Sequence, residues 1–286
     1  MKAIATVGII SKPKIARAVE IVCGLLQWLD DRGIRYRCDE QTAQYASLAE
    51  SYAREALADG IELIIVLGGD GTLLSAARVV AGKNIPLFAV NLGNLGFLTA
   101  IQVEELYPEL ERVFRGEHEM EERATADCEL QREGEAIASY RALNDVVITK
   151  SELARMIDLD TYVDDHFVAA YKADGLIIAT PTGSTAYSLS AGGPVVFPSV
   201  GAFCITPICP HMLTNRPVIV PDTSVIEILN HGAEGIFLTI DGQVGEPLCS
   251  GDRIVCRSSP NSIQLIRPPQ LLFFDVLREK LKWGER

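Results

Sequence analysis

Apolar residues follow two alternating spacings over the first part of the chain. Continuous apolar runs, typical of strands covered on both faces, occupy residues 3–10, 63–67 and 86–90, and a shorter strand is expected at 34–38. Between these runs, apolar residues recur every three or four positions, as on one face of a helix, at residues 16–28, 48–57, 72–80 and 103–114. Strands alternating with helices predict an α/β domain with a parallel sheet, which we place at residues 1–118.

The spacing changes near Glu117, after which β-branched residues alternate with polar residues between tight turns. Glu133-Gly134 and Asp164-Asp165 are residue pairs typical of hairpin turns. The expected strands are 136–149, 156–163, 166–171, 175–179, 218–220, 225–228, 236–239, 253–256 and 263–266. This pattern predicts a β-rich, sandwich-like second domain at residues 119–268. An amphipathic helix at 271–281 follows, so residues 269–286 are expected to pack back on the N-terminal domain.

The composition describes a globular chain with an acidic overall charge. Of 286 residues, 48% are hydrophobic, and the formal net charge is −12. This charge argues against nucleic acid as a partner, because phosphate contacts require a basic surface, and against an anionic membrane surface. Residues 175–215 carry no charged side chain, but Gly, Pro, Ser and Thr interrupt them too often for a membrane-spanning helix. The seven cysteines form no CxxC pair, which favours reduced thiols and a cytoplasmic protein.

A glycine-rich segment directly follows the predicted strand at 63–67 and opens the next predicted helix. It reads Gly68-Gly69-Asp70-Gly71-Thr72. Ligands of open α/β sheets bind beyond the carboxyl ends of strands, and glycines there allow the backbone to approach a phosphate closely. The N–H groups that start the helix also favour an anion. Asp70 is then a candidate general base or magnesium contact, and a third interpretation is that its carboxylate only fixes the loop.

Two further polar segments lie near predicted strand ends. The run from Asn91 to Leu98 follows the strand at 86–90, so we expect it beside the glycine-rich segment at one sheet edge; an ordinary Asn/Gly turn is the alternative. Asn144-Asp145 places a short amide beside a carboxylate. Such a pair suits two vicinal ribose hydroxyls, although a polar pair at a strand end needs no ligand to explain it.

The longest candidate segment combines Lys172-Ala173-Asp174-Gly175 with the run from Thr180 to Pro194. So many small hydroxyls and glycines make a poor core but a good lining for a flat polar ligand, close to a helix expected to begin at about Ser184. Asp241-Gly242-Gln243 lies between two predicted strands, where a hairpin turn is the default interpretation. The functional alternative is a contact from Gln243 to a ligand amide. Neither GxxxxGK[ST] nor GxGxxG occurs, so neither a Walker-type loop nor a Rossmann site is indicated.

Taken together, these segments resemble the ATP-NAD kinase family along nearly the whole chain. The matching segments are GGDGT at 68–72, NLGNLGF at 91–97, Asn144-Asp145, the stretch 172–194, PHMLTNRP at 210–217 and DGQ at 241–243. GGDGT is also found in diacylglycerol and sphingosine kinases, and phosphofructokinases have a similar loop. The run TPTGSTAYSLSAGGP is far more restrictive, and the order and spacing of all the segments strengthen the resemblance.

The resemblance implies an enzyme that moves a phosphoryl group from ATP to the 2′-hydroxyl of the adenosine ribose of NAD. Asp70 would accept the proton, Asn144 and Asp145 would hold ribose hydroxyls, and Asp174 would orient the nicotinamide end. The remaining residues implied to bind nucleotide are Gly68, Gly69, Gly71, Thr72, Asn91, Arg155, Lys172, Thr185, Ala186, Tyr187, Ser188, Leu189, Ser190 and Gln243. Mg²⁺ or another divalent metal would arrive on the donor's phosphates, without a protein metal site.

This chain departs from the commonest family pattern at two positions. Asp145 stands where Glu is frequent, which shortens the reach of the carboxylate by one methylene. Lys172 stands where Arg is frequent, which keeps the charge but loses the two-pronged hydrogen-bonding geometry. These departures leave open the choice between NAD and NADH as acceptor.

Two other functions compete with the NAD kinase interpretation. A lipid kinase of the diacylglycerol type would need a hydrophobic acceptor cleft, and the acidic charge and the uncharged Ser/Thr/Gly run argue against it. A non-catalytic NADP(H)-binding sensor would not need the base, yet Asp70 is present. For the kinase, we expect NAD and ATP as partners, no nucleic acid, no membrane, and a homo-oligomer, either a dimer or a tetramer, in the cytoplasm.

Overall fold

A computed structural model of the chain describes residues 4–15, 17–151, 156–232, 235–268 and 272–283. Its strands are β1 (Thr6–Ser11), β2 (Arg35–Cys38), β3 (Leu63–Leu67), β4 (Leu87–Asn91), β5 (Ile101–Gln102), β6 (Glu119–Arg123), β7 (Ala126–Arg132), β8 (Glu135–Ala142), β9 (Asp145–Lys150), β10 (Ile157–Val163), β11 (His166–Ala173), β12 (Gly175–Ala179), β13 (Ala202–Ile208), β14 (Val218–Pro221), β15 (Ile226–Asn230), β16 (Ile236–Ile240), β17 (Val244–Leu248), β18 (Arg253–Ser258) and β19 (Ile263–Arg267).

The α-helices are α1 (Ala18–Asp30), α2 (Glu40–Tyr45), α3 (Arg54–Leu57), α4 (Asp70–Val80), α5 (Leu106–Phe114), α6 (Tyr187–Ser190) and α7 (Phe273–Leu281). Short 3₁₀ turns occupy Val103–Glu105 and Gly183–Thr185. The elements form two compact units, one made of Met1–Glu122 together with Ile263–Arg286 and the other of Arg123–Ser262. Among the described residues, no helix is both long enough and apolar enough to cross a membrane.

The first unit is built on a seven-stranded sheet with the order β2-β1-β3-β4-β19-β6, and β5 pairs with the end of β4. The pairs that join β1 to β2, β1 to β3, β3 to β4 and β4 to β19 are parallel. Every side chain of β1, β3 and β4 is buried, as expected for parallel strands covered on both faces. The predicted α/β domain with a parallel sheet is thus confirmed.

The second unit contains two six-stranded antiparallel sheets. Their strand orders are β11-β10-β15-β18-β7-β8 and β14-β13-β12-β9-β16-β17. Alternate side chains of both sheets form one apolar core, to which β9 contributes Val146 and Ile148. Both predicted hairpin turns are present, because Glu133-Gly134 and Asp164-Asp165 all have positive φ values. The prediction of a β-rich, sandwich-like domain is confirmed.

Two predicted elements were wrong in detail. The helix expected at 48–57 is replaced by α2 and α3, with a non-helical connection between them. Asp39 caps α2 by accepting a hydrogen bond from the Thr42 N–H at 2.9 Å, and Ser47, with a φ of 53°, follows the end of that helix. The single strand expected at 136–149 is two strands, β8 and β9, which belong to different sheets. Five strands were not predicted: β5, β6, β7, β13 and β17.

The domain boundaries also differ from the predicted ones at both ends of the β-rich unit. That unit runs from Arg123 to Ser262 rather than over 119–268, because β19 pairs in parallel with β4 and so belongs to the first sheet. The C-terminal helix α7 belongs to the first unit, as predicted, and buries Val276 and Leu277. Lys280 of α7 lies over the ring of Phe97, 5.6 Å from its centroid. All seven cysteines are free thiols.

Candidate active site

Asp70 is the first residue of α4 and follows the carboxyl end of β3. Its Oδ1 accepts hydrogen bonds from the N–H groups of Leu98 and Thr99 at 3.1 and 3.0 Å and from the Thr99 hydroxyl at 3.0 Å. Its Oδ2 accepts from the Phe97 N–H at 2.9 Å. The carboxylate therefore fixes a loop, as the third interpretation of Asp70 expected, but the loop is the one that follows β4.

That loop, residues 92–100, is also held by Asn91, the last residue of β4. The Asn91 amide donates to the backbone oxygen of Asn94 at 2.5 Å and to the Thr99 hydroxyl at 2.9 Å, and its carbonyl accepts from the Gly93 N–H at 2.7 Å. Gly96 is required here, because a Cβ at that position would overlap the Asp70 carboxylate. The two glycine-rich segments therefore meet at one sheet edge, as predicted, and the contact of Asn91 with nucleotide stays a prediction.

The GGDGT segment forms a tight connection between β3 and α4. Gly69 is the N-cap residue of α4, and no side chain caps this end of the helix. The Gly68 N–H donates to Val90 at 2.9 Å, which ties the segment to β4, and a Cβ at Gly68 would overlap Thr72. The N-terminus of this eleven-residue helix carries the positive end of the helix dipole, which favours an anion.

In the second unit, a cavity of about 530 Å³ opens on the sheet that contains β9. Four residues predicted to bind nucleotide line this Asp145 cavity: Asn144, Asp145, Ala186 and Tyr187. Asp145 is only 4% exposed, yet no described residue forms a hydrogen bond with its carboxyl group. The Asn144 side chain likewise makes no hydrogen bond within the described chain. Buried polar groups are normally paired, so the free carboxyl of Asp145, beside the half-buried amide of Asn144, indicates a ligand-binding surface.

Asp241, in the turn between β16 and β17, organises the floor of the Asp145 cavity. Its carboxylate accepts hydrogen bonds from three consecutive N–H groups, those of Leu143, Asn144 and Asp145, at 3.1, 2.7 and 3.2 Å. These residues connect β8 to β9, so Asp241 fixes the segment in which the chain passes from one sheet to the other. Asp241 and Gly242 both have positive φ values, which confirms the hairpin turn.

Burial and a neighbouring charge change the acidity of Asp145. Burial, and then the negative charge of Asp241, raise the pKa of the Asp145 carboxyl to about 7. Asp145 therefore carries its proton for part of the time at neutral pH and can act as donor or acceptor toward a hydroxyl. Carboxyl groups with such raised pKa values concentrate at functional sites.

We predict that Asp145→Asn stabilises the free protein at pH 8. The folded-state pKa of about 7 lies above the ordinary value of 3.8, so ionisation opposes folding, and the cost grows as pH rises between these values. Removing the charge should raise the free energy of unfolding at pH 8 by roughly 2–4 kcal/mol, and by less near pH 5. Thermal melting measures the gain. Asp174→Asn, which removes a partly exposed carboxylate paired with Lys150, is the matched control and should show no comparable pH-dependent gain.

Most hydroxyls of the 180–194 run are used inside the unit. The Ser188 hydroxyl bonds to that of Thr206 at 2.9 Å, and the Ser184 hydroxyl donates to Pro181 and accepts from Val196. The Thr185 hydroxyl donates to the backbone of Thr182 at 3.1 Å. Of the six predicted residues from Thr185 to Ser190, Ala186 and Tyr187 line the cavity, whereas Thr185, Ser188, Leu189 and Ser190 do not. Their contact with nucleotide stays a prediction.

The remaining predicted contacts lie elsewhere. Lys172 is exposed and is 3.7 Å from Asp158, and it does not line the cavity. Asp174 pairs with Lys150, whose Nζ is 2.8 Å from the Asp174 carboxylate. Gln243 follows the turn that carries Asp241 and donates its N–H to Ile240. Arg155 lies outside the described residues.

The sequence did not single out six residues of the cavity wall as ligand contacts: Val147, Thr149, Lys150, Thr239, Asp241 and Gly242. Val147 and Thr149 share a face of β9 with Asp145, so period-two alternation from Asp145 would have found them. Thr239 is paired with Val147 across β16 and β9. Lys150 gives no sequence signal of its own.

Comparison with known proteins identifies the family. Residues 7–118 match the ATP-NAD kinase N-terminal domain, and residues 143–268 match the ATP-NAD kinase C-terminal domain. The NAD kinase of Solibacter usitatus is 63% identical and is aligned over 100% of both chains. The NAD kinase of Koribacter versatilis is 53% identical over 98% of this chain and 99% of its own length.

Solved structures give the same result. Yeast NADH kinase complexed with NADH superposes with a TM-score of 0.93 and 27% identity, covering 100% of this chain and 90% of the yeast chain. An NAD kinase from Archaeoglobus fulgidus in complex with ATP gives a TM-score of 0.78 and 25% identity, covering 97% and 98% of the two chains. With both domains matched and relatives aligned from end to end, this protein belongs to the ATP-NAD kinase family.

Proposed function

We propose that this protein transfers the γ-phosphoryl group of ATP to the 2′-hydroxyl of the adenosine ribose of NAD, giving NADP. Family membership supports the reaction, and bacterial relatives called NAD kinases share up to 63% of their residues with it. The related yeast and archaeal structures hold NADH and ATP, which supports these two nucleotide classes as ligands.

The observation that carries the proposal is the unpaired carboxyl of Asp145 in its cavity. A ribose offers two adjacent hydroxyls, each of which can donate and accept a hydrogen bond. Asp145 and Asn144 present an acceptor and an amide side by side on the same wall, and Asp241 fixes the backbone beneath both. A phosphate or an apolar ligand would leave the buried carboxyl without a partner, which costs about 1–3 kcal/mol.

For the chemical step, we propose that Asp70 accepts the proton of the attacking hydroxyl. A ribose hydroxyl is a weak nucleophile, and a carboxylate within hydrogen-bonding distance assists it by taking the proton in the transition state. Four hydrogen bonds fix the orientation of Asp70. Oδ2 receives one of these four, so it retains room for a second donor, such as the acceptor hydroxyl.

We propose that Mg²⁺ or a similar divalent ion enters with the donor phosphates. The described residues contain no group of three or more His, Cys, Asp or Glu side chains arranged to hold a metal. Phosphate oxygens and water would therefore supply most of the ligands, which is how Mg²⁺ is commonly bound in phosphoryl-transfer sites. The ion would neutralise charge on the transferring group, and the positive end of the α4 helix dipole would assist.

The reaction is tested by incubating the protein with NAD, ATP and Mg²⁺ and detecting NADP with an NADP-specific dehydrogenase. We expect NADP to form in proportion to enzyme and time, and chelation of the metal with EDTA to abolish its formation until excess Mg²⁺ is restored. Binding of NAD without any NADP production would contradict the kinase proposal and favour a nucleotide sensor. Phosphorylation of diacylglycerol instead of NAD would favour a lipid kinase.

We further propose a homo-oligomer, either a dimer or a tetramer, in the cytoplasm. The outer strands of the two β-sheets, among them β14 and β17, have free edges within the described residues, and such edges are commonly covered by another chain. Phe237 and Ile219, on the sheet that carries the Asp145 cavity, add exposed apolar surface. Sedimentation equilibrium over the micromolar range tests this assembly, and a monomer at every concentration would rule it out.

A further inference from the structure

Asp145 and Asp241 bring two carboxyl groups to the floor of one cavity, and they have different environments. Asp241 is 7% exposed and accepts from the N–H groups of Leu143, Asn144 and Asp145, which compensate its negative charge. Asp145 is equally buried, but its carboxyl group accepts no hydrogen bond from any described residue. Three backbone N–H groups therefore donate to the Asp241 carboxyl, while no described group donates to the Asp145 carboxyl.

The other elements around the cavity do not supply the missing counter-charge. The α6 helix contributes Tyr187, a neutral donor, and Lys150 at the end of β9 already pairs with Asp174 at 2.8 Å. Asp241 is the nearest charge from the turn after β16, and it is negative. The described groups that line the cavity thus favour the neutral form of the Asp145 carboxyl.

From this geometry we infer that NAD binding is coupled to the release of a proton from Asp145, and that Asp241 is the positioning residue that sets this coupling. The inference rests on the proposed function, in which ribose hydroxyls occupy the Asp145 cavity. Two hydroxyls that donate to the carboxyl stabilise its ionised form, as backbone N–H groups do for Asp241. The proton leaves to solvent, and the negative charge on Asp145 is then hydrogen-bonded to the ligand. NAD affinity should accordingly increase as pH rises from 6 to 8.

The test is isothermal titration calorimetry of NAD into the full-length protein at pH 6.5, in two buffers with different ionisation enthalpies. With a pKa near 7, about three-quarters of the Asp145 carboxyls are protonated at that pH, so the wild-type protein should release about that fraction of a proton per NAD bound. Asp145→Asn should bind NAD more weakly and release no proton. Asp241→Asn removes the like charge, the smaller of the two causes of the raised pKa, so Asp145 should already be more ionised and release a smaller fraction of a proton than the wild type.

The outcomes separate the inference from the proposed function. NADP formation together with zero proton release by the wild-type protein would overturn the coupling and leave the kinase activity intact. Equal proton release by wild type and Asp241→Asn would show that Asp241 is merely structural. Failure of the wild-type protein to bind NAD would overturn both proposals. If Asp241→Asn does not fold, comparison of the wild-type protein with Asp145→Asn still tests the coupling. Equal proton release by these two proteins would assign the proton to a group other than Asp145 and overturn the inference.

Discussion

Asp70→Asn is expected to lower kcat for NADP formation by a factor of about 10²–10⁴ while NAD still binds. Asparagine has the same size as aspartate, but its amide cannot accept a proton at neutral pH. If Asp70 is the base, the loss should appear in kcat much more than in KM. The rate is measured by the coupled NADP assay, and NAD binding by calorimetry on the same preparation.

The contacts of Asp70 require a control for loop displacement. An asparagine offers one acceptor oxygen, whereas the carboxylate takes three N–H groups and a hydroxyl, so the loop at 97–99 loses bonds in the variant. Thr99→Val removes the hydroxyl, which donates to Asp70 and accepts from the Asn91 amide, but leaves the carboxylate and the backbone donors in place. It should cost about 1 kcal/mol of stability and less than about tenfold in kcat. If Thr99→Val lost as much activity as Asp70→Asn, Asp70 would act through the loop rather than as a base.

Gly183→Ala is expected to have the largest effect on stability of any single methyl addition in the β-rich unit. A Cβ at Gly183 would fall on the backbone of Asn144, including its carbonyl oxygen. That backbone is bonded to Asp241 and to the N–H of Thr180, so it has little freedom to move away. We expect a loss of at least about 3 kcal/mol, at the upper end for overpacking, or failure to fold.

Urea denaturation monitored by far-ultraviolet circular dichroism measures this loss. Tryptophan fluorescence is not used, because both tryptophans lie outside the unit. Gly245→Ala is the matched control, because a Cβ on β17 would meet only Leu238 at 3.9 Å, an ordinary contact. That variant should stay within about 0.5 kcal/mol of the wild type. Equal stability of the two variants would mean that the turn at Gly183 leaves room for a methyl group beside the Asn144 backbone.

Local sequence signals predicted those parts of the fold whose residues carry their own periodicity. The runs that became β3 and β4 are continuous and apolar because both faces are covered, and the hairpin pairs at 133–134 and 164–165 have the left-handed backbone that their turns require. Of the helix expected at 48–57, only Arg54–Leu57 is helical, and no described side chain caps it, whereas Asp39 caps the earlier helix α2. The strand β13 is buried throughout but includes Thr206 and Pro207, so it shows neither a continuous apolar run nor a polar alternation.

The site was predictable where a residue type is unusual for its position and hidden where the role depends on contacts between distant segments. Asp70 and Asp145 are carboxyls at strand ends, so sequence reasoning found both. The role of Asp241 depends on the three N–H groups of residues 143–145, about a hundred positions away, and no spacing rule connects them. Ser188 is a small hydroxyl residue of the kind expected to contact a ligand, yet its hydroxyl bonds to Thr206 in the interior.

The position of β19 in the first sheet has a consequence for the order in which the protein is made. The neighbour that covers the edge of β4 is encoded after the whole of 123–262, so the ribosome must complete the second unit before the first can close. At a bacterial synthesis rate of about 5–20 residues per second, the nascent sheet keeps that edge open for roughly 10–30 seconds. Cellular chaperones therefore have a defined interval in which to protect an unpaired β4, and the β-rich unit is free to fold first.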